Sequence, residues 1–290
     1  MAGYKGNRIG PKKFERGQIK IYIIIAPLVI FMLFPIIFII NHAFKPMDEL
    51  FAFPPRFFVN NPTLDNFKSL LKSARSAGVP LSKYVFNSIF VTFVVVFVGI
   101  IISTMAGYAL SKLKFRLKNT MNSLNQAALM FVPTAVMIPR YLIISGVMIT
   151  NTYWAHILPL LAIPTSLFLI KQFIDGLPDS LIEAAVVDGA TQWTVYRRII
   201  LPLIKPAIAT GIILSFQQAW AYLDSSNLYV NTDSMKTLAF YMTTLANLNN
   251  LVAGQGVAAA GSLIMFIPNL VLFIIVQKDV MNTMAHSGIK

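Results

Sequence analysis

The chain has 290 residues, 56% apolar and only 12% charged, a balance that a soluble core cannot absorb and that integral membrane proteins show. Its formal net charge is +13, but the basic residues sit in short stretches beside long apolar runs, without the interleaved polar and aromatic groups of a nucleic-acid groove. With no cysteine there is no disulfide framework, thiolate metal site or cysteine nucleophile.

In chain order, residues 1–20 form a basic tail carrying Lys5, Arg8, Lys12, Lys13, Arg16 and Lys20. The charge-free stretch 21–40 follows, and about 20 apolar residues suffice to cross a hydrocarbon layer about 30 Å thick. It is longer than a signal-peptide core of about 7–15 residues, and "NHA" is a poor cleavage site, so it reads as an uncleaved first span. Further charge-free windows at 84–111, 119–139, 141–170, 206–223 and 237–277 each hold one more. The expected spans are 21–42, 86–110, 121–144, 154–172, 206–223 and 256–276, in an all-α integral membrane protein with one membrane domain covering 1–290. "SGVMITNTY" marks a turn between the third and fourth spans, and "NLNNLVAGQG" a polar loop before the sixth. Six spans put both termini on one side. That side carries sixteen Lys and Arg and the other seven, six of them in the 43–83 loop. The positive-inside rule then makes the termini, the 175–205 loop and the 277–290 tail cytoplasmic.

The 175–205 loop contains "EAAVVDGATQWTVYRRIILP". Ser180 and Glu183 read as a capping box, and Gly189 as the residue that ends the first helix at positive φ. Thr191 is placed to cap a second helix, and Pro202 to end or kink it. Such a jointed pair transmits force from a partner to the spans. The same residues also suit a loop resting on headgroups, with Trp193, Tyr196 and Ile199 inserted and Arg197 and Arg198 on phosphate. Local chemistry leaves both readings open.

The segment resembles the signature loop of the membrane subunits of binding-protein-dependent ABC importers: Glu183-Ala184-Ala185, three residues, Gly189, nine residues, then Ile199, Leu201 and Pro202 match that pattern at every specified position. "NSIFVTFVVVFVGIIISTMAGYALSKLKF", "FVPTAVMIPRYLII", "NTYWAHILP", "FLIKQFIDGLPDSLIEAAVVDGA" and "IILPLIKPAIAT" are similar to the shorter permease subunit of maltose-type carbohydrate importers. The first 85 residues match only in layout. "WAYLDSSNLYVN" stands where the family often has a Trp-Asn-Asp-Phe-like stretch, and the tail "MNTMAHSGIK" departs from the usual Gly-Ala-Val-Lys form.

The resemblance implies the type I importer permease fold and a place in the bacterial cytoplasmic membrane. It implies a function as one half of the path of an ATP-driven oligosaccharide importer. The ATPase-coupling residues would be Glu183, Ala184, Ala185, Asp188, Gly189, Ile199, Leu201 and Pro202, with Glu183, Ala184, Ala185 and Gly189 as the docking surface. The C-terminal tail would be a second contact. The implied partners are a second homologous permease, two ATPase subunits or a homodimeric ATPase, an extracytoplasmic solute-binding protein and membrane lipid. ATP and Mg would belong to the ATPases, and this chain would bind no cofactor and catalyse nothing.

Polar residues inside spans need a protein, water or ligand partner. Asn87, Gln217, Gln218 and Tyr222 are candidates for lining a substrate path, each weighed against interhelical hydrogen bonding worth about 1 kcal/mol. Arg140 reads as snorkelling to the interface, and His42 and His156 as interfacial residues. Gly99, Ser103 and Gly107 form a packing seam, and Ala258 with Ser262 suggests another. No metal spacing, phosphate loop or nucleophile–base pair is present. A stand-alone secondary transporter or channel is the alternative, but it should carry intramembrane charge for ion coupling or inverted repeats, and neither is visible.

Overall fold

A computed structural model describes residues 19–76, 78–248 and 252–287. The described residues are helical, with no strand among them. In chain order the helices are α1 (Ile19–Phe44), α2 (Met47–Leu50), α3 (Asp65–Ser76), α4 (Leu81–Lys112), α5 (Lys118–Met130), α6 (Met137–Gly146), α7 (Tyr153–Leu161), α8 (Pro164–Asp175), α9 (Asp179–Val187), α10 (Gln192–Val195), α11 (Leu201–Leu203), α12 (Lys205–Trp220), α13 (Leu238–Leu248) and α14 (Val252–Ser287). Most of the basic tail and the last three residues of the C-terminal tail lie outside the described residues.

Among the described residues, four helices are long and apolar enough to cross a membrane: Ile19–Phe44, Leu81–Lys112, Tyr153–Asp175 and Gly254–Lys278. Gln192–Leu203 and Lys205–Trp220 qualify together as a fifth, bent by 78°. The expected continuous span 121–144 differs: α5 and α6 are separated by residues 131–136. Pro133 lacks an amide proton and pushes Val132 out of helical geometry, which accounts for the break.

Two compact units divide the chain. The first gathers the described residues of Met1–Leu70 and Asn249–Leu263. Here α1 ends under a side-chain cap, because the Asn66 amide donates to the carbonyls of Ala43 and Lys45 at 3.1 and 2.8 Å. Gly256 is needed beside that cap, since a Cβ there would lie 2.6 Å from the Asn66 amide oxygen. Ala43, Ala259 and Ala260 close the packing with Phe44 and Phe67. The sixth-span seam therefore runs through Gly256, Ala259 and Ala260; Ala258 is half-buried and Ser262 exposed. In the following loop the amides of Asn60 and Asn61 donate to Glu49 at 3.0 and 2.8 Å. The Asn60 bond leads in holding that carboxyl below the usual range, and Lys45 and Arg56 add to it.

The second unit comprises Leu71–Leu248 with Ile264–Lys290 and is built around α4, which packs on α7, α8 and α12. The expected seam makes this close approach possible. A Cβ at Gly107 would stand 3.1 Å from the Ile170 side chain, and one at Gly211 of α12 would stand 3.1 Å from Ile100. Small residues on one helical face let backbones approach where lipid gives no hydrophobic drive. Ser166 and Ser215, both buried, pair at 3.2 Å across α8 and α12.

Candidate coupling segment and polar sites

Helix α9 begins two residues earlier than the capping-box reading: Pro178 is its N-cap, with no side-chain bond. Ser180 lies inside the helix, so its hydroxyl cannot cap it. The C-terminal end follows the sequence reading. Gly189 has φ +82°, its amide bonds the Val186 carbonyl at 3.0 Å and the Ala190 amide bonds Ala185 at 2.9 Å, which together form a Schellman motif. Thr191 caps the next helix by accepting from the Thr194 amide at 3.3 Å. A π-helical stretch, Tyr196–Ile200, follows. The bend into α12 falls at Ile204, two residues beyond Pro202, with Lys205 and Pro206 opening the new helix.

One face of this segment is packed. Ala185, Val195, Tyr196, Ile200 and Ile204 share a core with Tyr108 of α4 and with Ile170 and Ile174 of α8, and Ile182, Ile199 and Leu201 pack against it. Thr104 donates to the Ile100 carbonyl at 2.8 Å, so the Tyr196 phenol donates to Thr104, also at 2.8 Å. The Tyr108 phenol donates to Gln192 at 2.7 Å. The entry to the segment is tied to the end of α4 as well. Lys112, its side chain 8% exposed, donates to the Leu177 carbonyl at 2.7 Å and to Asp179 at 2.6 Å. The hydrogen bond from Lys112, and then its charge, hold the Asp179 carboxyl below the usual range.

The opposite face is open. Glu183, Ala184, Asp188, Gly189 and Pro202 are exposed, as are Leu181, Val186 and Trp193, with Val187 at 87%. Ala185, expected on the docking surface, is buried here and shares the inward face of α9 with Ile182 three residues earlier. Ile199 and Leu201 are likewise packing residues. Tyr108, Lys112 and Gln192, which brace the segment, were missed; Lys112 read only as topological charge, and nothing local marks the other two.

At the other end of α4 the polar residues are taken up internally. Asn87, fully buried, donates to the carbonyls of Ser234 and Lys236 at 2.9 and 2.8 Å and accepts from Tyr153 at 2.8 Å. It anchors the 222–238 connection rather than facing a cavity. Ser88 accepts from the Leu238 amide at 2.7 Å. His156 is fully buried, not interfacial. Its Nε2 donates to the Met235 carbonyl at 3.1 Å, and Nδ1 meets Ser225 at 2.8 Å.

Gln217 and Gln218 are exposed. Tyr222 is half-buried and accepts from Arg140 Nη1 at 2.8 Å, so Arg140 is braced by a neighbouring element instead of snorkelling freely. A separate cavity of about 390 Å³ is lined by apolar residues of α4, α12 and α14 with Thr92. Among the described residues no cluster of three His, Asp or Glu is arranged to hold a metal.

The arrangement is that of a helical membrane protein with a jointed segment braced on one face. The chain belongs to the family of binding-protein-dependent transport system inner membrane components, which matches residues 96–278; it is an ABC transporter permease subunit and a multi-pass membrane protein. It is 32% identical over 93% of its length, and 96% of the relative's, to the multiple sugar-binding transport system permease protein MsmG of Streptococcus mutans. It is 29% identical to the arabinooligosaccharides transport system permease protein AraQ of Halalkalibacterium halodurans, over 89% of this chain and 91% of that protein. The fold matches a chain of a bacterial ABC transporter involved in the import of the acidic polysaccharide alginate, with a TM-score of 0.77 at 20% identity, covering 92% of this chain and 99% of that one.

Proposed function

We propose that this chain forms half of the translocation path of an ATP-driven carbohydrate importer, and that the segment around α9 is where ATPase subunits push. The observation that carries this is the split of the signature residues: one set is packed into the core with α4 and α8, while Glu183, Ala184, Asp188 and Gly189 are left exposed beside Val187. A loop held firmly on one side and bare on the other suits a lever moved by a separate engine. The names of MsmG and AraQ support a saccharide as cargo.

In this reading all six segments read from the sequence span one membrane domain, the broken 121–144 pair included. Both termini and the 175–205 loop lie in the cytoplasm of a bacterial cell, under its plasma membrane. A second homologous permease completes the path, a solute-binding protein delivers cargo from outside, and ATP with Mg is bound and hydrolysed on two partner ATPase subunits. This chain supplies no catalytic group. Closure of the ATPases moves the α9–α11 element, and rigid-body motion of the helices packed on it opens the path outward. Gln217, Gln218 and Tyr222 are proposed to line that path, and Asn87 to brace its outer rim.

The test is Glu183→Lys in the complete transporter reconstituted in liposomes. The variant should insert and assemble normally while losing the stimulation of ATPase activity by loaded binding protein. Stimulation at the wild-type level would refute the coupling role.

A further inference from the structure

Arg140 stands in the first turn of α6, immediately after the break at 131–136. It borders a cavity of about 470 Å³ whose walls include Val136, Pro139, Ile143 and Leu158, and it is the one charged residue of that lining. Its guanidinium has five N–H donors in a planar fork, and a single one is directed at Tyr222. Among the described residues no carboxylate forms an ion pair with it; the pairs present join Lys68, Lys112, Lys171 and Lys236 to aspartates. Tyr222 lies two residues beyond the end of α12, and the exposed Gln218 belongs to the last turn of that helix. The site therefore offers a cationic fork beside an apolar cavity, with one donor engaged by the Tyr222 phenol and the Asp224 carboxylate within electrostatic range of that phenol. The cavity between α4, α12 and α14 is different: its lining has no charged residue, which suits hydrocarbon.

An arginine fork matches a carboxylate by two parallel charge-assisted hydrogen bonds, and side-chain amides and a phenol match hydroxyls. We propose that Arg140, positioned by Tyr222, is a specificity-determining residue that receives the carboxylate of an acidic oligosaccharide, one built of uronic acid units. This rests on the carbohydrate-importer reading above. Apolar walls next to the fork accommodate the C–H faces of the sugar ring.

The experiment uses the complete transporter in liposomes, offered di- to tetrasaccharides from pectin, alginate and heparosan digests in equal mixture with their carboxyl-reduced, deuterium-labelled counterparts. Accumulated sugars are read by mass spectrometry. The wild type should favour the acids over their reduced counterparts by about tenfold or more, the scale of one charge-assisted contact. Arg140→Gln should bring that ratio close to one, and Arg140→Lys should retain part of it, because the charge survives without the fork. Should Arg140→Gln fail to assemble, Tyr222→Phe, which releases the guanidinium, should lower the ratio several-fold. An unchanged ratio in the assembled Arg140 or Tyr222 variants overturns the proposal. Accumulation of the neutral sugars alone overturns it while leaving the carbohydrate reading intact, and accumulation of no saccharide overturns both.

Discussion

The two ends of α4 treat their polar residues in opposite ways. At the Lys112 end, the connection from α8 to α12 is fastened by one face, through Lys112, Tyr108 and Thr104, and its other face carries exposed Glu183, Asp188 and Val187. At the Asn87 end, the connection from α12 to α13 is fastened through its own polar groups, which bond Asn87, Ser88 and His156. Both connections join helices packed on α4, but the first leaves a broad face uncovered. A polar residue in a greasy chain is thus weak testimony to a ligand, whereas a braced segment with a bare face points to a second molecule.

The largest expected effect tests the fastened end. Asn87→Leu leaves two carbonyls and a phenol without their partner, and each orphaned group costs about 1–3 kcal/mol. The thermal unfolding midpoint of the purified complex should fall clearly, whereas Gln217→Leu should leave it unchanged and impair uptake instead. Equal midpoints for the two variants would erase the contrast between internal and path-facing polar groups. Next comes Gly189→Val, at φ +82°, where nothing crowds an added Cβ but left-handed backbone costs an L-residue roughly 1–2 kcal/mol. Uptake should drop with little change in thermal stability, since the strain falls on the open segment. A stability loss matching that of Asn87→Leu would show that this segment is part of the core.

The smallest effect concerns pH. Because Lys112 lowers the folded-state value of Asp179 below its ordinary 3.8, the tie is at full strength above that range and is lost as pH falls through the depressed value. Protection of the 175–190 segment from limited proteolysis should weaken on that acid limb, and Asp179→Asn should flatten the dependence.

Much of this was readable in advance. Helices appear where apolar windows run, and Gly189 and Thr191 act as their residue types dictate. The fixed spacing from Glu183 to Pro202 located the braced segment, because seven letters at set intervals carry far more information than hydropathy does. Other features depend on contacts between residues distant in sequence. Arg140 meets Tyr222 across 82 positions, and Asn87 meets Lys236 across 149; no local pattern distinguishes a hydrogen-bonded asparagine from a ligand-facing one. The inward turn of Ala185 follows from helical phase, which the motif alone leaves free until the partner core is known. The broken 121–144 span was signalled by Pro133 but hidden by unbroken hydropathy.

The central claim is that the open face of α9 meets an ATPase. Since the natural chain has no cysteine, Val187→Cys and Asn231→Cys each place a single thiol at one of the two ends, in a complete transporter treated with a short amine-to-thiol cross-linker. The account predicts that Val187→Cys joins to an ATPase subunit, with a yield that changes when ATP is added, and that Asn231→Cys never does. Cross-linking of both positions to the ATPase alike, or of Val187→Cys to no protein under any nucleotide condition, would contradict it.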